Sequence, residues 1–259
     1  MATFATFLDI LPDANNPIGE AGQALATNSG GTAGPGFASV KLSSNRKTIV
    51  DKTNSGRSVA RAIAGHTWKV GITYNPLTRD QFEPVYSFLL SRLGRLNPFY
   101  VILPNQSTSR NSTFATYAAS NTISVEAASE TDTRIPAGRT YMIIDGFSAS
   151  SNEPKPGDMF NVTDPDNGNH VKAYRTTRIE TADNYDALLP DGNTNYPLAN
   201  DTERRIHFTP PLTYSILDNA TLNFINPKVR VRLADDVQEY SLGTNNLYKF
   251  DLQLEEALP

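Results

Sequence analysis

The stretch 68–104 constrains the fold more than any other part of this chain. It strings together an alternating strand, a proline break, a capped amphipathic helix and a second apolar strand. His66, Trp68, Val70, Ile72 and Tyr74 fall on one side of a pleated strand and Thr67, Lys69, Gly71 and Thr73 on the other, so one face is core. Asn75-Pro76 ends that ladder, because proline has no N–H to donate and pushes the residue before it away from helical geometry. Thr78 then supplies an N-cap with Gln81 in the capping-box position. Phe82, Val85, Tyr86, Leu89, Leu90 and Leu93 recur at helical spacing before Gly94. The spacing predicts a helix over about 79–93. Pro98 leads into Phe99-Tyr100-Val101-Ile102-Leu103, an apolar run suited to a strand buried on both faces, and Pro104 stops it.

Clean alternation returns at the other end of the chain. Val229, Val231 and Leu233 oppose Lys228, Arg230 and Arg232, and Tyr248, Phe250, Leu252 and Leu254 oppose Lys249, Asp251 and Gln253. Two amphipathic strands need a sheet, and the nearest suitable partners are the strands that flank the helix. The expected fold is therefore mainly β. Residues 38–104 plus 224–259 form a split β-barrel with one packed amphipathic helix, and 105–223 form an inserted small β-domain. Within the insertion, Ile123-Ser124-Val125, Tyr141-Met142-Ile143-Ile144, Met159-Phe160-Asn161-Val162, Ala173-Tyr174-Arg175-Thr176 and Ile206-His207-Phe208 are short β-runs of the kind that build a small barrel or sandwich. Residues 182–201 read as a long exposed loop facing a partner or solvent.

Ahead of the helix, Val40 and Leu42, then 47–51, a Thr53-Asn54-Ser55-Gly56 turn and 57–64 read as hairpin-sized pieces. Residues 1–37 read as an N-terminal arm. Its 11–37 part is rich in Gly, Asn, Pro, Ala and Ser and cannot bury enough surface to order itself. Such a segment is either a loose terminus or an arm that orders against a neighbouring subunit, and Phe4, Phe7, Leu8, Ile10 and Leu11 ahead of it favour the second.

Composition removes several function classes. The 259 residues carry 23 Lys+Arg against 27 Asp+Glu, a formal charge of -4, so the surface as a whole exerts no pull on phosphates or anionic membranes. With no cysteine, disulfide frameworks, thiolate nucleophiles and zinc–thiolate sites are excluded. Residues 1–10 lack a basic n-region and an apolar run, and no later segment approaches a membrane span, so the expectation is a soluble, unexported protein. The Asn-x-Ser/Thr acceptors at Asn105, Asn111, Asn161, Asn200 and Asn219 then read as chance products of polar loops.

The search for chemistry assigns no catalytic, cofactor-binding or metal-ligating residue. His66, His170 and His207 lack a second histidine or a carboxylate at metal or triad spacing. Residues 164–169, Asp-Pro-Asp-Asn-Gly-Asn, resemble a calcium loop, but the glycine comes one position early and position 12 is Arg175, so a turn is expected. Asp235/Asp236 and Glu255/Glu256 are adjacent pairs whose members point to opposite faces of an extended chain, which keeps them from converging as acid and base. Positions 30–36 are glycine-rich but lack the strand before and the Lys-Ser/Thr after that a phosphate loop needs. Arg92 and Arg95 meet the negative end of the helix dipole.

Together, Trp68-Lys69-Val70-Gly71-Ile72, the helix, Gly94-Arg95-Leu96-Asn97-Pro98-Phe99 and Leu103-Pro104 resemble the core of tailed-bacteriophage distal tail and tail-tip proteins, the adaptors of the baseplate hub. Val229-Arg230-Val231-Arg232-Leu233 and Tyr248-Lys249-Phe250-Asp251-Leu252-Gln253-Leu254-Glu255-Glu256 are similar to the closing strands of that family. The resemblance covers roughly half the chain. It implies a structural virion protein: a β-barrel with a packed helix, assembled in the host cytoplasm into a sixfold ring of the tail. That ring would join tail tube to baseplate or tail tip, with genomic DNA passing its lumen without specific binding and no membrane involved. No enzymatic activity is expected. The competing reading is a carbohydrate- or receptor-binding module using Tyr141, Tyr174, Tyr185 or Tyr196 of the inserted domain. A glycan-cleaving enzyme would need two carboxylates facing one cleft, which the sequence does not reveal.

Overall fold

The computed structural model of the protein describes residues 9–14, 34–127, 133–148, 151–182 and 202–258, leaving aside the side chains of 62–64. The chain divides into two compact units, Met1–Val101 with Arg230–Leu258, and Ile102–Val229.

The terminal unit begins with a long hairpin, β1 (Phe37–Lys52) and β2 (Ser58–Tyr74), turned by 53–56, where Gly56 takes a left-handed φ of 80°. The pieces read separately from the sequence are thus one continuous pair. Helix α1 (Arg79–Ser91) follows, with the Thr78/Gln81 capping box in place and Gln81 Oε1 accepting from the Thr78 amide at 3.2 Å. The helix stops two residues earlier than its apolar period, because Leu93 and Gly94 both turn left-handed. A Cβ on Gly94 would come within 2.7 Å of the Asp236 carboxylate, so the turn needs glycine for space as well as for φ. β3 (Phe99–Ile102), β12 (Lys228–Leu233) and β15 (Asp251–Glu256) complete a five-stranded sheet in the order β1-β2-β15-β12-β3.

Core packing follows from that order. Trp68, Val70, Ile72 and Tyr74 of β2 are buried as their alternation requires, together with Leu252 and Leu254 of β15 and Val229, Val231 and Leu233 of β12. α1 buries Phe82, Val85 and Leu89. The Phe82 ring stacks on Tyr248 at 4.3 Å and meets Phe250 edge-on at 5.8 Å. Leu90 and Leu93, expected on the same apolar face, are 54% and 65% exposed, because the covering surface ends short of the helix C-terminus.

The inserted unit is a closed barrel of β4 (Ile123–Glu126), β6 (Tyr141–Asp145), β7 (Met159–Thr163), β8 (Ala173–Glu180), β9 (Arg204–Thr209) and β11 (Thr221–Asn223), in the order β11-β4-β6-β9-β8-β7 with β7 returning to β11. All five predicted β-runs of the insertion are barrel strands. The interior is aromatic: Phe160 lies 5.6 Å from Tyr174 and 5.7 Å from Phe208, and Phe114 of the short helix α2 (Ser112–Ala118) packs on Phe224 at 5.2 Å. A two-stranded pair, β5 (Arg134–Ile135) with β10 (Ile216–Leu217), accompanies the barrel, and β13 (Ser241–Leu242) with β14 (Tyr248–Lys249) lies in the terminal unit.

The fold is therefore mainly β with a closed barrel and a packed helix. The closed barrel is the inserted unit's, whereas the split unit expected to close is an open sheet. Its edges do not meet: β1 runs on past the sheet with β2, and the outer edge of β3 is taken by the chain's own beginning. There Ile10 bridges Tyr100 in parallel, the Leu11 amide donates to the Tyr100 carbonyl at 2.8 Å, and Leu11 is fully buried. So part of the expected arm docks on its own chain. Asp13 is tied to Gly34 by a 3.0 Å amide–carbonyl bond, and residues 1–8 and 15–33 lie outside the described ones. The second unit boundary falls past the expected 223/224 because Phe224 belongs to the barrel core and Asn161 holds the Lys228 backbone on both sides.

Phe82→Ala should lower stability by about 3–5 kcal/mol through lost burial and the cavity it leaves, whereas Leu90→Ala should change it by no more than about 0.5 kcal/mol. Denaturant unfolding of the two variants beside the parent checks both; equal effects would contradict the packing described.

Candidate functional site

Each histidine has a structural occupation. Burial on the core face of β2 puts His66 edge-on to Trp68 at 4.5 Å, with Nε2 2.8 Å from the Ser44 hydroxyl. His170 is buried, with Nε2 2.8 Å from the Tyr174 hydroxyl; burial holds it well below the usual imidazole range, at about 4, against the pull of Asp164. His207 Nε2 lies 3.0 Å from Glu180, and burial lowers it against that carboxylate's attraction. Glu180 is itself buried and also pairs with buried Arg205 at 2.9 Å and with Arg178 at 2.6 Å. Sequence spacing hid this cluster, because β8 and β9 bring Glu180 and Arg205 together across a ladder rather than along the chain.

The carboxylates behave as their positions along strands dictate. Burial pushes Glu255 up, but hydrogen bonds and charge from Arg95 and Arg232 together hold it below the usual carboxylate range. Its neighbour Glu256 turns inward and accepts from the Trp68 amide at 3.0 Å. Asp236 accepts from the Arg95 amide, while Asp235 lines a groove. Arg92, expected at the helix dipole, also pairs with Asp9 at 3.0 Å and lies over the Phe88 ring. Asp164 closes the 164–169 turn by accepting from the Asp166 and Leu217 amides, and Asp166 pairs with Arg134. Among the described residues no group of three or more His, Asp or Glu could hold a metal ion, and no helix is long and apolar enough to cross a membrane.

Two of the four tyrosines proposed for a glycan, Tyr141 and Tyr174, are not displayed. Tyr174 is fully buried and Tyr141 is 5% exposed, so neither offers a ring face to a sugar. Tyr185 and Tyr196, with most of the 182–201 loop, lie outside the described residues.

The terminal unit does display apolar side chains to solvent. Toward the turn of the β1–β2 hairpin, residues 44–61 are exposed, including Ile49, Val50 and Val59. A groove of about 340 Å³ is lined by Asp235, Val237, Gln238, Glu239, Asp251 and Gln253, with exposed Val237, Tyr240 and Leu242 on the same segment. Leu90 in the last turn of α1, with Leu93 and Leu96 after it, forms a third exposed apolar set. Helical spacing groups Leu90 and Leu93 with the apolar face although the structure exposes them, and no linear spacing joins Asp235 to Asp251; the bond from the Ala234 amide to the Gln253 carbonyl brings those segments side by side. Comparison of the sequence with family models finds no match, and comparison with curated proteins finds no relative.

Because folded His170 takes up a proton far less readily than the unfolded chain, its contribution to stability is complete above about pH 6.5 and is lost as pH falls toward 4. Between pH 7 and pH 5 that amounts to about 2 kcal/mol. His170→Gln should flatten this part of the pH–stability curve, as measured by urea unfolding at both pH values; a slope equal to the parent's would contradict the assignment.

Proposed function

We propose that the chain is a structural subunit of a bacteriophage tail, a distal tail or baseplate-hub adaptor that assembles into a sixfold homo-oligomeric ring joining the tail tube to the baseplate or tail tip. The observation that carries this reading is the way the resembling segments come together. The Trp68 strand, the capped helix, the Pro98-Phe99 link with its strand, and both C-terminal strands belong to one unit, with β2, β15, β12 and β3 consecutive in its sheet. That set is the part of the chain that resembles the phage family, and its parts are drawn from both sides of a long insertion. The role is mechanical: the terminal unit forms the ring, and the inserted unit meets other tail proteins.

Support also comes from the surfaces. Exposed Ile49, Val50, Val59, Leu90, Leu93 and Leu96 lie in the same unit, in addition to the rim of the acidic groove. An assembling subunit has a use for apolar area that a monomer keeps in water at a cost. The slight overall acidity fits a lumen through which DNA passes without sticking.

Sedimentation velocity and negative-stain imaging of the purified chain over a concentration series test the proposal. A closed ring of about six copies is expected to grow in with concentration, following the closed symmetry usual for homo-oligomers. Monomers at every concentration, with tail-tube protein added as well, would overturn it.

A further inference from the structure

The outer part of the β1–β2 hairpin has no core of its own. β15 pairs with β2 only from Thr73 to Lys69, so beyond His66 toward the turn each strand has a single neighbour for roughly 30 Å. A bulge between Arg46/Thr48 and His66/Ala62, with Gly65 at a φ of 122°, re-aims this ribbon as it leaves the sheet. Such two-stranded ribbons are marginal in water unless something covers them.

The ribbon's residues show what kind of cover fits. Register places Ile49 opposite Arg61 and Asp51 opposite Val59 on one face, and Val50 opposite Ala60 and Lys52 opposite Ser58 on the other. Apolar groups therefore occur on both faces, with Ile49, Val50 and Val59 each about half exposed or more. Arg46, Lys47, Lys52, Arg57 and Arg61 stand against a single carboxylate, Asp51, and none of these bases forms an ion pair among the described residues.

The groove at 235–253 is the complement of that surface. Asp235, Glu239 and Asp251 supply carboxylates without ion-pair partners among the described residues, and Val237, Tyr240 and Leu242 supply exposed apolar area. A copy's own ribbon leads away from its own groove: the ribbon leaves the sheet past the Lys69–Glu255 pair, and Asp251 lies at the opposite end of the same ladder, beside Thr73. We infer that the basic ribbon of one copy docks in the acidic groove of the next copy of this chain. The two surfaces differ, so the contact is head-to-tail and repeats until the rotation closes a ring. This inference rests on the ring reading above and deepens it by naming the contact. Nucleic acid would match the five bases but not the apolar groups on both faces or the carboxylates waiting on the same unit.

Charge reversal at exposed positions tests the contact. Arg57→Glu with Arg61→Glu, and separately Asp235→Lys with Glu239→Lys, should each weaken self-association at least tenfold by sedimentation velocity, with thermal melts matching the parent. All four changes in one chain should restore association to within a few-fold of the parent. If the parent assembles and both double variants assemble equally well, the docking is wrong although the ring stands. A parent that stays monomeric overturns ring and docking together. Fluorescent duplex DNA bound by the parent in 150 mM salt and released by the Arg57→Glu, Arg61→Glu variant, with assembly unchanged, would assign the ribbon to nucleic acid and also overturn the docking.

Discussion

β15 lies antiparallel to β2, residues 251–255 against 69–73, and buries Leu252 and Leu254 beside Val70 and Ile72. Glu256 extends the join by accepting the Trp68 amide from a buried position. This pairing places the end of the chain in the middle of the terminal sheet, between β2 and β12. Without it, β12 would have no path to β2, and Phe250 would not meet Phe82 of α1. It also joins residues far apart in sequence, so the sheet forms only after a long loop has been closed. The cost of that closure is offset because the intervening chain folds on itself, as a barrel with its own aromatic core.

The same pairing shapes the surfaces. β15 is shorter than β2, so the part of the hairpin that extends beyond Lys69 becomes a free ribbon. At its other end, β15 brings Asp251 and Gln253 to the 235–239 turn and so makes the groove. One strand of six residues thus separates a basic projection from an acidic recess within a single unit. A heterologous contact needs this kind of polarity.

Local signals made α1 legible, since cap, apolar period and terminal glycine all point to one helix. Strand alternation likewise reveals β2, β12 and β15, and short β-runs between turn signals reveal five of the six barrel strands. β11 escaped notice because Thr221-Leu222-Asn223 offers one buried leucine and no alternation long enough to read. Periodicity also overran at Leu90 and Leu93: it says which residues share a helix face, not how far the covering sheet reaches. Alternation does not tell a closed barrel from an open sheet, since closure depends on whether edge strands meet, and the occupant of the β3 edge comes from residues 9–11. The groove and the Glu180 cluster were illegible for a related reason, as both join residues across ladders that no linear spacing encodes.

A chain without cysteine allows the β2–β15 pairing to be tested by introducing two. Thr73 and Asp251 are exposed and directly paired, and partners in an antiparallel ladder have Cα atoms about 4.5–5.5 Å apart, within disulfide reach. The Thr73→Cys, Asp251→Cys chain should close an intramolecular disulfide under mild oxidation, seen as faster migration on a non-reducing denaturing gel and a mass lower by two hydrogen atoms, with circular dichroism unchanged. Two thiols that stay free in the folded chain under those conditions would contradict the account.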